Sequence, residues 1–348
     1  MAYTTVNKGT DYFRVKLYTG NATNNTAITW DESDNMKPDW LWIKNRSIGQ
    51  SHAIFDSTRG ATKRFTSNGN GAETTENENL DSFDTNGFTV DYEAIVNGSG
   101  NDMVAWGWKC NGGTTSTNTD GSITSSVSAN TTAGFSIVSY TGTGSNATVG
   151  HGLSSDVEMI IIKNRSQGDD WAVGSTKINF SNHLQLNTSN ASTGAAAVFN
   201  STAPTSSVFT VGTNHKTNAS GENYIAYCFH SIKGYSKFGI YKANGNADGP
   251  FVYLGFKPAF HIVKRIDVAN DWNMQDIKRT LNGEDKILQA NNNNAENVGG
   301  GYKIDKLSNG FKCRESGTET NGSGGTYLYM AWAVAPLVGT NNVPATAR

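Results

Sequence analysis

Cysteine is scarce: Cys110, Cys228 and Cys313 are the only three in 348 residues. An odd number without a shared spacing argues against a disulfide framework. Nor is any close thiolate pair of the kind a zinc site uses present, so the three read as buried, inert thiols. Charge of one sign is equally lacking. Twenty-eight Lys and Arg against 30 Asp and Glu give a net charge of −2 with no long block, which removes the basic face of a nucleic-acid binder. No apolar run reaches the roughly 18 residues of a membrane-crossing helix, so no membrane insertion is expected. The opening Met1–Lys8 has no signal-peptide shape, which predicts synthesis and folding in a cytoplasm. The best amphipathic helix candidate, Asp276 to Gln289, is interrupted by Gly283. The six histidines show no His-x-x-x-His spacing. No Gly-x-Ser-x-Gly elbow and no phosphate loop occur. Glu73, Glu76, Glu78, Asp81 and Asp84 crowd one loop, whereas a glycosidase holds two carboxylates on rigid strands. No enzyme, metal or cofactor is expected.

What the sequence has instead is a repeat. Asp39-Trp40-Leu41-Trp42-Ile43-Lys44-Asn45-Arg46-Ser47 returns as Glu158-Met159-Ile160-Ile161-Ile162-Lys163-Asn164-Arg165-Ser166, and in a worn form as Ala259-Phe260-His261-Ile262-Val263-Lys264-Arg265. Each is a short apolar run that stops at basic and turn-forming residues, as a strand apolar on both faces does where it meets a loop. Alternation places Trp40 and Trp42 on one face and Leu41 and Ile43 on the other. Four more anchors keep the same order. Opening strands begin at Phe13, Phe135 and Phe238. The organising strands are followed by Ser51-His52, Asp170-Trp171 and Asp271-Trp272. Then come segments ending in Val90, Val211 and Cys313, and closing strands that align Ala105, Ala226 and Ala331. Lys44 precedes Lys163 by 119 positions, and Lys163 precedes Lys264 by 101. Chance does not keep five anchors in step.

Glycine (38 residues) and abundant Asn, Ser and Thr between apolar runs are turn chemistry. The fold class is therefore all-β: three tandem, similar antiparallel β-sandwich units of lectin or jelly-roll type. Residues 1–112 form the first, with residues 1–12 as an edge strand or docking arm. Residues 113–132 form a Gly/Ser/Thr/Asn-rich linker on which the first unit would pivot. Residues 133–234 and 235–335 form the second and third, and 336–348 an extended tail. The loops Asn68 to Asn79, Asn187 to Gly194 and Asn291 to Gly301 occupy equivalent places and read as exposed binding loops.

Aromatic slots filled by any large side chain, such as Trp106 against Tyr227, are core slots. Trp40, Trp42, Trp106, Trp108 and Trp332 belong there. Trp171 and Trp272 lie in polar loops and are the aromatic candidates for surface contact. The recurring Lys44, Arg46, Lys163 and Arg165 are either internal caps and ion pairs or a binding set for an anionic glycan or partner subunit. Asp56-Ser57-Thr58-Arg59 and Asp276-Ile277-Lys278-Arg279 match as structural pairs.

With the repeat laid out, Gly134-Phe135-Ser136-Ile137-Val138-Ser139-Tyr140-Thr141-Gly142, Val149-Gly150-His151-Gly152-Leu153, Ala247-Asp248-Gly249-Pro250-Phe251-Val252-Tyr253 and Ser323-Gly324-Gly325-Thr326-Tyr327-Leu328-Tyr329-Met330-Ala331-Trp332 resemble a family of repeat-containing, tail-fibre-like structural proteins of tailed bacteriophages, common in marine and cyanobacterial phages. The resemblance implies a virion protein, made in the host cytoplasm, with other virion subunits and a host-surface glycan as partners and a homotrimer as one form of assembly. It implies no catalytic residues. A capsid or tail decoration protein with a cementing role is the alternative, and a polysaccharide-degrading virion enzyme the second.

Overall fold

The computed structural model describes residues 4–338, and among these the chain is all-β. Helix is confined to single turns such as Ala94–Asn97, Ala196–Phe199 and His215–Asn218. The segment Asp276 to Gln289 is a turn followed by the strand Lys286–Gln289, the outcome Gly283 favours. The expected C-terminal tail lies outside the described residues beyond 338.

Three large antiparallel sheets share one strand order: opening, closing, central, fourth. In the first these are Phe13–Thr19, Asp102–Trp108, Trp40–Asn45 and Ala53–Asp56. In the second they are Phe135–Thr141, Asn223–Phe229, Met159–Asn164 and Ala172–Ser175. In the third they are Ser236–Lys242, Thr326–Pro336, Phe256–Arg265 and Trp272–Asp276. Each large sheet faces a small one. The first small sheet joins Thr26–Thr29, Gly87–Val90 and Leu80–Asp84, and the second joins Ala147–Gly150 and Val208–Val211. The third joins Phe251–Tyr253, Gly310–Cys313 and Ile304–Leu307.

The central strands are buried along their length because both faces are covered. Leu41 and Ile43 pack with Ile28, Phe88 and Val90 under the first small sheet. Ile160 and Ile162 pack with Val149, Phe209 and Val211 under the second. The opposite faces, carrying Trp40, Trp42, Met159, Ile161, Phe260 and Ile262, all turn into one core common to the three large sheets. Three closing-strand aromatics meet there. Trp108 lies 5.3 Å from Trp332 between ring centroids, and Phe229 lies 5.7 Å from Trp332. Trp40 stands 4.4 Å from Trp108 and 4.7 Å from Tyr227. Such ring pairs add to area burial, which already makes a buried Trp among the most stabilising side chains.

Three expectations change. The predicted linker 113–132 is not a free tether: Ser116–Asn118 and Ser125–Asn130 pair outward from the opening strand Phe135–Thr141 and extend the second large sheet. Cys110 Sγ donates to Ser128 O (3.0 Å), and Asn130 Nδ2 donates back to Cys110 O (3.1 Å). With the common core, this removes the pivot. Ser126 and Ser128 alternate in this segment with Val127 and Ala129, and that short edge-strand pattern is masked by turn-forming composition. The N-terminal segment docks within the molecule. Thr4 Oγ1 donates to Lys233 O, and Gly9 lies so close to Ala333 O that a side chain could not fit. Finally, the third closing strand is shifted by two residues from the sequence alignment. Val104, Ile225 and Leu328 stand opposite Lys44, Lys163 and Lys264, so Tyr329 rather than Ala331 matches Ala105 and Ala226. A two-residue slip keeps every side chain on its face, so the apolar pattern does not reveal it.

The common core predicts one cooperative unfolding transition. Trp108→Ala should cost about 3–5 kcal/mol and move that whole transition in a urea titration followed by both tryptophan fluorescence and far-UV circular dichroism. Two separate transitions, only one of which responds, would show sheets that fold independently.

Candidate functional site

The six residues nominated from sequence all lie where one large sheet meets the next. Trp171 and Trp272 are 0% and 1% exposed, so the surface role expected of them is corrected. Trp171 Nε1 donates to Thr66 O (3.0 Å) of the first sheet's loop, and Trp272 Nε1 to Gln185 O (2.9 Å) of the second's. His52, their positional equivalent, contacts Gln289 O through Nε2 at 3.0 Å. The three contacts run one way around: first to third, second to first, third to second. The lysines repeat the circuit. Lys44 Nζ reaches Asn293 O (3.4 Å), Lys163 Nζ reaches Asn70 O (3.2 Å), and Lys264 Nζ reaches Ser189 O (3.2 Å). All three donate only to carbonyl oxygens, and burial lowers each ammonium to about 8. The loops read as free binding surfaces are thus straps across neighbouring sheets.

Two of the three junctions are ionic. Arg165 forms a two-point bridge to Glu73, 2.8 and 3.0 Å, and Arg59 binds both Glu73 (3.3 Å) and Asp56. Tyr227 OH donates to Asp56 Oδ2 at 2.7 Å. At the next junction Arg46 binds Glu296 (2.7 Å), Arg279 binds Glu296 (2.7 Å) and Asp276 (2.6 Å), and Trp106 Nε1 donates to Asp276 Oδ2 (3.1 Å). Burial works to raise the Glu73 and Glu296 carboxyls, but their arginines outweigh it and hold both below the usual range. The third junction carries Ser175, Ile178, Ser192, Met330 and Ile266 at the corresponding positions, identified by strand register and by shared backbone bonds.

Surface chemistry gathers elsewhere. A groove of about 610 Å³ runs between the second and third large sheets, lined by Glu158, Lys177, Ser231, Lys237 and Tyr253. Tyr253 is 49% exposed. Lys237 Nζ lies 5.3 Å from its ring centre and donates to its carbonyl oxygen at 2.7 Å. Lys177 pairs with Glu158 at 3.4 Å. Phe251, on the same face of the strand, is also exposed. By register Tyr253 stands where the other small sheets have Thr29 and Gly150, and Phe251 where they have Ala27 and Thr148. An open aromatic face beside ammonium groups can stack on a ring and neutralise an anionic substituent. Sequence reading missed these residues. The signal, Phe-Val-Tyr against Ala-Ile-Thr, emerges only once the register is known.

A second grouping also escaped notice. Asn164 Nδ2, at the end of the second central strand, donates to Asp169 Oδ2 (2.9 Å) and to Glu222 Oε2. His215 Nδ1 bonds the other oxygen of Asp169. Two carboxylates and a largely exposed imidazole therefore converge, though far apart in sequence.

One protein family, described as a domain of unknown function (DUF7483), matches residues 8–336. No curated protein and no solved structure matches the chain.

The buried lysines make an alkaline prediction. Lys44, Lys163, Lys264 and Lys306 hold fewer protons when folded than when unfolded from about pH 8 up to 10.5, so stability should rise with pH in that window. The three thiols act oppositely. Burial raises them from 9, and the stability they contribute below pH 9 is lost above it. The urea midpoint should therefore increase from pH 8 to pH 9, and Lys163→Met should weaken that increase. A midpoint that falls over this interval contradicts the assignment.

Proposed function

The chain belongs to the DUF7483 family, and we propose that it is a non-enzymatic bacteriophage virion protein, an exposed appendage or tail-fibre-like component that contacts host-surface glycan. In this reading it consists of three β-sandwich units, each a large sheet over its small sheet, derived from one repeat. The sequence likeness to tail-fibre-like structural proteins supports the virion setting, and the repeated strand order supports the triplication. The observation that carries the binding role is the groove at Tyr253 and Lys237, where exposed aromatics replace the small residues of the other two units. The contact surface moves with it, from the strapped loops to the seam between the second and third sheets. Three units closing on one core make a trimer-like arrangement within one chain.

Cryo-electron microscopy of the intact particle, with binding of the purified chain to host surface polysaccharide, tests the proposal. The groove should face outward, and Tyr253→Ala should weaken polysaccharide binding at least tenfold without lowering the melting temperature. A groove buried against capsid or tail subunits, with no polysaccharide affinity, would establish a cementing role instead.

The Asp169, Glu222 and His215 grouping favours a second reading, a polysaccharide-degrading virion enzyme. That reading requires reducing ends to appear when host polysaccharide is incubated with the protein, and Glu222→Gln to abolish their release. No release from the unaltered chain would end it.

A further inference from the structure

The largely apolar space between the third large sheet and its small sheet holds three polar side chains at positions that are apolar in the first pair. His261, opposite Gln275 on the neighbouring strand, stands where the first sheet pairs Leu41 with Phe55 and the second pairs Ile160 with Gly174. Lys306, opposite Phe311, stands where the first small sheet has Phe83 opposite Phe88. All three side chains are almost wholly enclosed: His261 and Gln275 are 1% exposed and Lys306 2%. The His261 ring has Gln275 as its hydrogen-bonding neighbour and stacks on Phe311 at 5.3 Å, while Gln275 Nε2 donates to Tyr302 O at 2.9 Å. The Lys306 ammonium has one contact, with Thr280 O at 3.5 Å, the long limit of a hydrogen bond. It forms no ion pair within 4 Å among the described residues.

Burying an ammonium without a counter-ion is strongly unfavourable. The enclosed Lys306 ammonium, which has no counterpart in the first small sheet, needs an offsetting interaction. Its place is visible. Lys306 lines an opening of about 290 Å³ whose other walls are Lys257, Ile277, Thr280, Leu281 and Asn282. Leu281, at the rim, is 65% exposed. Lys306 also feels Asp276, Asp305 and Glu284. Each of those carboxylates already has a cation of its own, Arg279, Arg314 and Lys286 respectively, so the Lys306 ammonium is left for an outside anion. Ile277 and Leu281 supply apolar walls for a short carbon skeleton.

We propose that this opening is a binding site for a small carboxylate, seated against the Lys306 ammonium with its carbon skeleton along Ile277 and Leu281. The site is separate from the Tyr253 groove and stands independently of the virion reading. The carboxylate can be a free small acid or a uronic acid of a polysaccharide.

The full chain labelled with ¹³C-lysine resolves these sources. The Lys306 Cε signal is assigned by its loss in Lys306→Met and followed while sodium acetate, sodium glucuronate or inorganic phosphate is added at constant ionic strength. A saturable shift with a carboxylate and none with phosphate is expected. Response to glucuronate alone would assign a sugar-borne carboxylate, and response to acetate as well a free acid. Leu281→Asp, a change at an exposed position, should weaken the carboxylate at least tenfold. Lys306→Met should unfold at a urea concentration no lower than the original chain, because an apolar side chain fills that place in the first small sheet. An unmoved Lys306 signal, a stronger response to phosphate, or full affinity in Leu281→Asp would each overturn the proposal.

Discussion

The inner faces of the three large sheets are apolar, and no sheet has strands of its own to cover that face. Each central strand carries large side chains on both sides: one set goes beneath the small sheet, and the other must find cover elsewhere. The cover is the other two large sheets. From this requirement much else follows. The segment before the second opening strand cannot swing freely, since Cys110 and Asn130 tie it to the seam. The N-terminal arm lies against Ala333 because the first sheet sits beside the third. Loops that would otherwise be free become straps, and basic residues at the strand ends become their anchors.

The straps separate geometry from charge. At each junction a backbone N–H of the strap donates to the carbonyl of the residue after the strand end: Glu296 to Arg46 at 2.8 Å, Glu73 to Arg165 at 3.0 Å, Ser192 to Ile266 at 3.0 Å. These bonds persist whether or not the junction is ionic. The side chains then change as a set. Where Glu is replaced by Ser192, its two arginine partners are replaced by Ile178 and Ile266, and the Asp by Ser175. Ser175 keeps one duty of that Asp, accepting from the N–H two residues on, here Lys177 at 3.2 Å. Asp56 accepts the same bond from Thr58 at 3.1 Å, and Asp276 from Lys278 at 3.0 Å. Losing one member alone would strand a buried charge, whereas exchanging all of them for apolar groups is close to neutral. The third junction exchanges the whole set within one chain, the arginines for isoleucines and the carboxylates for hydrogen-bonded serines.

Much of this was legible in the sequence. Trp40 and Trp42 against Leu41 and Ile43 announced a strand with two buried faces, and the repeated anchors fall on strands that hold the same places in the order of the three large sheets. What alternation cannot say is which partner meets which face, so the common core and the straps stayed hidden. Trp171 and Trp272 were misplaced because their neighbours are polar. Their actual partners, Thr66 O and Gln185 O, are backbone carbonyls with no signature in sequence. His52 at the matching position was the clue, since a polar-tipped ring there suits a donor seeking a carbonyl. The third sheet's divergence at Tyr253 and Lys306 becomes readable only when strand pairing sets Phe311 against Phe88 and fixes which small-sheet residues correspond.

Three large sheets of one strand order in one chain provide an internal control. Positions where all three agree, such as the buried Asn97, Asn218 and Asn321 that cap the loop after each opening strand, answer to the fold. Positions where one departs at an energetic cost need a different cause. The departures gather in the third pair: His261 for Leu41, Lys306 for Phe83, Tyr253 for Thr29 and Phe251 for Ala27. The first two put polar groups inside, and the last two put aromatic groups outside, each against the usual direction of burial. Drift in a dispensable copy would be expected to conserve that direction, because changes opposing it destabilise a core that the other two sheets share. The departures from the shared pattern therefore concentrate in the third pair and are not spread over three equal loops.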